Sequence, residues 1–230
     1  MPSTSVAALL TQLNRSGGLP RITWYGDDFE RVELSGAVLD NWVSKTTNLL
    51  VEEFDAAPGV RVLLDLPPHW RSLVWALAVW RTGATLTPTG PADVVVTTRP
   101  DEHAADAVVA VTLGALARRF DGPLPRGAID AASAVMTYAD VVGYVPPTDP
   151  TAAALGATSY ADLPAWWADG EAARVAFAAD DDVTDWLRRV VATLAADGSV
   201  VAISPGRLAE LARTAGALDR LLETERAVLV

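Results

Sequence analysis

The chain of 230 residues has no cysteine, two histidines and a single lysine, Lys45. Without cysteine it has no disulfides, no thiolate nucleophile and no cysteine-ligated zinc or iron–sulfur centre. A mechanism that requires a catalytic lysine has one candidate. The other basic residues are all arginine, which together with abundant alanine and valine is typical of a high-GC bacterial coding bias. The net charge is −11, and because an acidic chain repels phosphate backbones, we expect no nucleic-acid partner.

Long apolar runs are also missing. The longest run covers residues 73–80 and would span roughly 12 Å of helix, far less than a bilayer. The N-terminal residues have no basic segment, so they do not read as a signal peptide. We therefore expect no membrane partner and a cytoplasmic location. The composition, 50% hydrophobic and 20% charged, is that of a folded globular chain.

The remaining sequence alternates between strand-like and helix-like patterns. Strands at 21–25 and 31–34 flank the turn residues Gly26-Asp27-Asp28, and Ser35 is a candidate N-cap for a helix to residue 54. Further strands are predicted at 61–66, 84–88, 93–98, 107–113, 174–178, 199–204 and 226–230, and further helices at 6–13, 69–81, 158–168, 183–196 and 205–217. This order predicts an α/β fold with layered, mostly parallel sheets flanked by helices. We expect one unit over 1–230, with two lobes at 1–145 and 146–230 as the alternative.

The predicted helix at 69–81 has apolar residues on two sides. Trp70, Leu77 and Trp80 belong to one stripe, whereas Trp75 and Val79 lie opposite. The pattern indicates a helix that is covered on both faces. Trp75 is interpreted as core, with a pocket or a subunit contact as the alternative.

Residues 22–91 resemble the N-terminal region of the AMP-dependent synthetase/ligase superfamily, which includes acyl-CoA synthetases and adenylation domains. The resemblance rests on the order of three segments: Pro58-Gly59-Val-Arg61-Val, Leu66-Pro-Pro-His-Trp, and Trp80-Arg-Thr-Gly83-Ala84 leading to Pro88. A weaker match covers 190–203 and 226–228, while 110–145 match poorly. The resemblance implies the fold of the N-terminal subdomains of adenylate-forming enzymes, as a truncated portion of them.

The motifs that bind ATP in that superfamily are absent. Its phosphate loop is rich in Ser, Thr and Gly and ends in Pro-Lys-Gly, whereas this chain offers only Gly156, Thr158 and Ser159 at the corresponding position. The adenine motif, the ribose-binding Asp and the C-terminal lysine would fall beyond residue 230. The resemblance therefore implies no catalytic residue and no cofactor, and Gly156, Thr158 and Ser159 are the only candidate remnant of a nucleotide site. We expect 151–155 to be extended and a tight turn at 156–159 to lead into a helix carrying Trp166 and Trp167.

The histidines have plainer explanations than catalysis. His69 follows Pro67-Pro68 at a helix start, which favours capping or packing. His103 lies near Asp101, Glu102 and Asp106, a set that resembles metal ligands, but carboxylates at a helix start are ordinary capping groups. We therefore predict no metal site.

The remaining polar candidates are also interpreted as structural. Asp180-Asp181-Asp182 reads as an acidic cap, with Asp182 or Thr184 as the N-cap of the helix that follows, and Lys45 reads as a charge on a helix surface. Ser204 follows a strong strand and begins a helix, the place where open α/β sheets bind ligands, although a plain helix start is favoured. No Gly-x-Ser-x-Gly, GxGxxG or Walker A motif occurs.

Three functions fit these observations. The first is a non-catalytic module with a degenerate adenylation site that binds a small acyl or nucleotide-like ligand, a protein partner or a second copy of itself. The second is an acyl- or aminoacyl-activating ligase that is active only with a partner chain. The third is a structural or assembly protein. The missing ATP motifs favour the first.

Overall fold

The computed structural model describes residues 5–15, 17–27, 29–180 and 182–230. The helices are α1 Val6–Asn14, α2 Gly36–Phe54, α3 Trp70–Thr82, α4 Ala131–Ala134, α5 Leu163–Trp166, α6 Val183–Ala195, α7 Pro205–Ala212 and α8 Ala217–Glu225. The strands are β1 Pro20–Tyr25, β2 Arg31–Ser35, β3 Arg61–Asp65, β4 Thr85–Thr87, β5 Val94–Thr97, β6 Val108–Ala110, β7 Ile129–Asp130, β8 Ala153–Leu155, β9 Thr158–Ser159, β10 Arg174–Ala178, β11 Ser199–Ile203 and β12 Val228–Leu229. None of the described helices is long and apolar enough to cross a membrane.

The chain divides into two compact units that are discontinuous in sequence. The first contains the described residues up to Leu39, with Pro68–Trp70 and Pro164–Val230, and the second contains Asp40–Pro67 and Arg71–Leu163. The chain therefore passes between the two units several times.

A five-stranded sheet forms the centre of the first unit, in the order β12-β10-β11-β1-β2. All pairs are parallel except β1 with β2, the predicted hairpin. Strands β10 and β11 are apolar after their first residues, and residues 200–203 are fully buried, as expected for parallel strands covered on both faces. The turn residue Asp28 lies outside the described residues.

A seven-stranded sheet forms the centre of the second unit, in the order β7-β6-β5-β3-β4-β8-β9. Its pairs are parallel apart from the β8–β9 hairpin. Trp75, Val79 and Trp80 of α3 are all buried, so the expectation of a helix covered on both faces is confirmed. Trp80 Nε1 also donates to the carbonyl oxygen of Ala154 at 3.0 Å, which ties α3 to β8. The predicted α/β fold with mostly parallel sheets is thus confirmed.

Two predicted helices are wrong in extent. Instead of a helix over 158–168, Thr158–Ser159 pair with β8 as strand β9, and the helix is the single turn α5, which includes Trp166 but not Trp167. The helix that begins at Pro205 ends at Ala212, and a separate helix, α8, follows a turn. In both segments the local sequence pattern favours a helix. Strand pairing interrupts the first segment, and a turn interrupts the second.

Candidate functional site

The predicted phosphate-loop remnant is a tight β-hairpin in the second unit. Leu155 of β8 pairs with Thr158 of β9, so Gly156 and Ala157 alone form the turn. Gly156 adopts φ +54°, a left-handed conformation that glycine reaches without the usual steric cost. Of the segment 151–155 that was expected to be extended, residues 153–155 form a strand, whereas residues 151 and 152 belong to a turn. The hairpin turn is also shorter than the four residues expected. The backbone N–H groups of such a hairpin pair with the adjacent strand rather than converge on one point.

Ser159 uses its hydroxyl inside the hairpin. Its Oγ donates to Asp162 Oδ2 at 2.6 Å and accepts from the Asp162 backbone N–H at 3.2 Å. The next residue, Tyr160, donates its hydroxyl to the carbonyl oxygen of Ala84 at 2.6 Å. Burial raises the pKa of Tyr160, which therefore stays a neutral donor. The segment is thus anchored by its own polar groups, and a carboxylate lies beside its hydroxyl.

In the first unit, Ser204 caps the start of α7, in agreement with the interpretation as a helix start. Its Oγ accepts from the Arg207 backbone N–H at 3.1 Å and donates to Asp27 Oδ1 at 2.6 Å. A Cβ on Gly206 would lie 2.3 Å from Asp27 Oδ1, so the carboxylate lies directly against the first turn of the helix. A helix N-terminus favours an anion, and at α7 that anion is the carboxylate of Asp27.

Carboxylates also lie at the start of α6. Asp182 is the N-cap, and its Oδ1 accepts from the Thr184 backbone N–H at 2.8 Å. Asp185 adds a second carboxylate in the first turn. The prediction of an acidic cap is confirmed for Asp182, whereas Asp181 lies outside the described residues.

A cluster centred on Asp65 lies at the carboxyl ends of β3 and β5, which are parallel neighbours in the second unit. Asp65 Oδ2 accepts from Thr97 Oγ1 at 2.6 Å and contacts His103 Nε2 at 2.9 Å, while Oδ1 accepts from Arg99 at 2.9 Å. Burial would raise the pKa of Asp65, but the hydrogen bonds from Thr97, His103 and Arg99 outweigh it and lower the pKa below its ordinary value. The carboxylate is therefore ionised at neutral pH and holds His103 in place.

Sequence reasoning missed Asp65 and grouped His103 with Asp101, Glu102 and Asp106. The available signal was that Asp65 and Thr97 each lie one residue before the end of a predicted strand, at 61–66 and 93–98, since carboxyl ends of parallel strands meet at one edge of a sheet. Within the described residues, no group of three metal-ligating side chains occurs. His103 instead pairs with a carboxylate 38 positions earlier in the chain.

His69 and Lys45 both have structural partners. His69 is 3% exposed, and its ring meets the Trp24 ring edge-on at 4.5 Å, which fits the packing role. Lys45 is not the surface charge that was expected. Its side chain is 17% exposed, and its Nζ donates to the Tyr138 carbonyl oxygen at 2.6 Å and pairs with Asp140 at 3.0 Å.

Glu225 forms a buried charged cluster in the first unit that the sequence did not indicate. Its side chain, 5% exposed, contacts Arg31 at 2.8 Å and also pairs with Arg174, while the Tyr25 hydroxyl donates to it at 2.5 Å. Burial raises the pKa of Glu225, but the hydrogen bonds from Tyr25, Arg31 and Arg174 outweigh burial and lower it. The cluster joins the end of α8 to strands β1, β2 and β10, so we interpret it as a structural cluster that stabilises the first unit.

Solved structures with the same fold are adenylate-forming enzymes. An acyl-CoA synthetase of Brucella canis matches with TM-score 0.73 and 17% identity, over 98% of this chain and 46% of that one. The acetoacetyl-CoA synthetase of Streptomyces lividans matches with TM-score 0.65 and 18% identity, over 87% and 38%. A fatty acyl CoA synthetase of Mycobacterium tuberculosis matches with TM-score 0.63 and 15% identity, over 97% and 48%. The chain thus has the adenylate-forming fold but spans less than half the length of these enzymes.

No protein-family model matches the chain. A sequence relative does: the "TIGR03089 family protein" of Mycobacterium tuberculosis is 34% identical over 226 residues. The match covers 88% of this chain and 90% of that protein. With this identity over nearly the whole of both proteins, the chain belongs to the TIGR03089 family.

Proposed function

We propose that the chain is a non-catalytic binding module built on the adenylate-forming fold, which takes a small ligand or a protein partner and does not activate an acyl group. The observation that carries this proposal is the occupation of candidate phosphate positions by carboxylates. Asp162 holds the Ser159 hydroxyl, Asp27 lies against the start of α7, and Asp182 caps α6.

A triphosphate at any of these positions would have to approach a carboxylate that already contacts the same hydroxyl or backbone N–H. Such an approach of like charges is unfavourable, and the net charge of −11 adds a repulsive field from the rest of the chain. The same charge supports our proposal that nucleic acid is not a partner. We also propose a cytoplasmic location for the module.

Nucleotide binding is tested by the melting temperature of the purified chain with millimolar Mg-ATP. A ligand at a hundredfold excess over its Kd stabilises a protein by about 2.7 kcal/mol, so a tight site would give a clear rise. We expect no change in the melting temperature and no ATP–pyrophosphate exchange with fatty-acid or amino-acid substrates. A rise that the double variant Thr158→Ala, Ser159→Ala abolishes, but the exposed control Thr224→Ala retains, would show that the hairpin binds nucleotide.

A second candidate is an acyl-activating ligase completed by another chain. It is favoured by the finding that the solved enzymes sharing the fold are more than twice as long as this chain. That partner would have to supply the phosphate loop, adenine motif and lysine in register with this chain, a demanding geometry. Affinity capture from the source cell followed by the exchange assay distinguishes the two. Exchange activity in the captured complex, absent from either chain alone, would favour the ligase, whereas a captured complex without activity would favour a binding or assembly role.

A further inference from the structure

A cavity of about 550 Å³ lies in the second unit, beside the Asp65 cluster. It is lined by the loop before β5 at residues 90–93 and by the segment before β6 at residues 103–106, with Leu63 and Val95 contributed by the sheet. Small-molecule sites have volumes of roughly 300–1,000 Å³. The cavity is therefore large enough for a small organic molecule.

His103 lines this cavity, and one of its two ring nitrogens already has a hydrogen-bond partner. Its Nε2 lies 2.9 Å from Asp65 Oδ2, and because the ionised carboxylate only accepts, Nε2 carries the proton. In the neutral ring Nδ1 is then an acceptor. No other hydrogen bond of His103 is found among the described residues. Asp65 itself accepts hydrogen bonds from Thr97 and Arg99, and these bonds hold the carboxylate that fixes the tautomer of His103.

The other polar side chains of the lining also accept hydrogen bonds. Asp93 Oδ2 accepts from the Arg61 backbone N–H at 2.8 Å and lies 3.7 Å from the Arg61 guanidinium. Both contacts use Oδ2 and none of those found among the described residues uses Oδ1, while Asp106 is exposed at the opposite loop. Neither lysine nor arginine is among the lining residues in the described part of the chain. Pro91, Ala92, Ala104 and Ala105 add short apolar surfaces. A ligand that matches this lining has N–H donors, a positive charge and a short hydrocarbon portion.

We propose that this cavity binds a small primary ammonium ion, with one N–H donated to Nδ1 of His103 and the charge balanced by Asp106 and by Asp93, which also pairs with Arg61. The inference rests on the proposed binding role, for which it names the site and the ligand class. A carboxylate or phosphate ligand would meet like charges on the Asp93 and Asp106 side chains of the same lining.

The histidine side chains themselves report binding. With two histidines in the chain, ¹⁵N-resolved NMR of the imidazoles gives two sets of signals, and His69, being buried, is an internal control. At about pH 8, where an ordinary imidazole is neutral, n-butylammonium is titrated to millimolar concentration. We expect the Nδ1 signal of His103 to shift saturably while the His69 signals stay in place. An unchanged His103 signal overturns the proposal.

Two matched probes test the chemistry of the ligand. n-Butanol has the same hydrocarbon length without the charge, and tetramethylammonium has the charge without an N–H donor. We expect neither to produce the saturable His103 shift. A shift of equal size with n-butanol would indicate an apolar pocket, and one with tetramethylammonium would indicate unspecific attraction of cations; either result overturns the proposal.

Two variants test the position of the charge. Asp106→Asn removes a carboxylate of the lining, and Asp101→Asn removes one from the same segment outside the lining. We expect Asp106→Asn to weaken butylammonium binding about tenfold, as for a lost charged hydrogen bond, and Asp101→Asn to leave it nearly unchanged. Equal weakening would overturn the site. Because no ATP is present, loss of this site leaves the Mg-ATP test of the proposed function unaffected.

Discussion

The hydroxyl of Ser204 donates to the carboxylate of Asp27 at 2.6 Å, across 177 positions of sequence. The same oxygen of Ser204 accepts from the Arg207 backbone N–H. One side chain thus joins the turn after β1 to the first turn of α7 and satisfies an N–H that the helix leaves unpaired.

Replacing Ser204 with alanine removes both hydrogen bonds. Loss of an N-cap costs about 0.5–2 kcal/mol, and we expect Ser204→Ala to lower the free energy of unfolding by an amount in the upper part of that range. Urea denaturation followed by circular dichroism measures it. Thr224→Ala, which removes an exposed hydroxyl from α8, is the control and should stay within about 0.5 kcal/mol of the parent. Equal effects of the two substitutions would contradict the cap.

Trp80 is 2% exposed and its indole N–H is bonded to Ala154. Truncation of a buried tryptophan to alanine costs about 3–5 kcal/mol, a large part of a total stability of about 5–15 kcal/mol. We expect Trp80→Ala to lower the denaturation midpoint strongly and Trp80→Phe, which retains most of the ring volume, to lower it less. A midpoint close to that of the parent for Trp80→Ala would contradict the burial of this face of α3.

Lys45 is expected to matter more for stability than a surface charge would. It fixes residues 138 and 140 to α2 through the Tyr138 carbonyl oxygen and the Asp140 carboxylate. Loss of a charged hydrogen bond costs about 1.5–3 kcal/mol in buried settings, and because Asp140 is 56% exposed, we expect about 1–2 kcal/mol for Lys45→Met. Proteolysis of the 138–143 segment should accelerate in this variant. Asp140→Asn, which retains the bond to Tyr138, should have a smaller effect, and the reverse order would contradict the assignment.

Glu225 predicts a dependence of stability on acid pH. Hydrogen bonds outweigh burial and lower the pKa of Glu225 from its ordinary value of 4.5. The unfolded chain therefore binds the proton more readily, so the contribution of Glu225 is complete above pH 4.5 and is lost as the pH falls through the lowered pKa.

The comparison of stability at neutral and acid pH tests this sign. Glu225→Gln should reduce stability at neutral pH and show a smaller further loss than the parent below pH 4.5. Glu223→Gln, a change to an exposed carboxylate of the same helix, is the control and should follow the parent curve. Parallel pH profiles for the parent and Glu225→Gln would contradict this prediction, because they would show that the pKa of Glu225 is the same in the folded and the unfolded chain.

Sequence patterns predicted elements that depend on neighbouring residues. The strand Arg174–Ala178 and the cap Asp182 were both predicted, because an apolar run and a capping carboxylate are local signals. The contact of Asp65 with His103 was not predicted, because it depends on β5 lying next to β3 in the sheet. Strand β9 was mistaken for helix because its pairing with β8 and the anchor from Tyr160 to Ala84 are set by the tertiary structure.

The burial of α3 on every side has a consequence for how this family can vary. Every residue from Trp70 to Trp80 is at most 9% exposed, so no position in this stretch is free of packing. In a saturation mutagenesis scan, amphipathic helices such as α6 would show intolerant positions every three or four residues. The stretch from Trp70 to Trp80 would instead appear as one unbroken block in which only substitutions that conserve volume survive. Sequence drift within the family should therefore be slowest here, even though the helix carries none of the polar clusters described above.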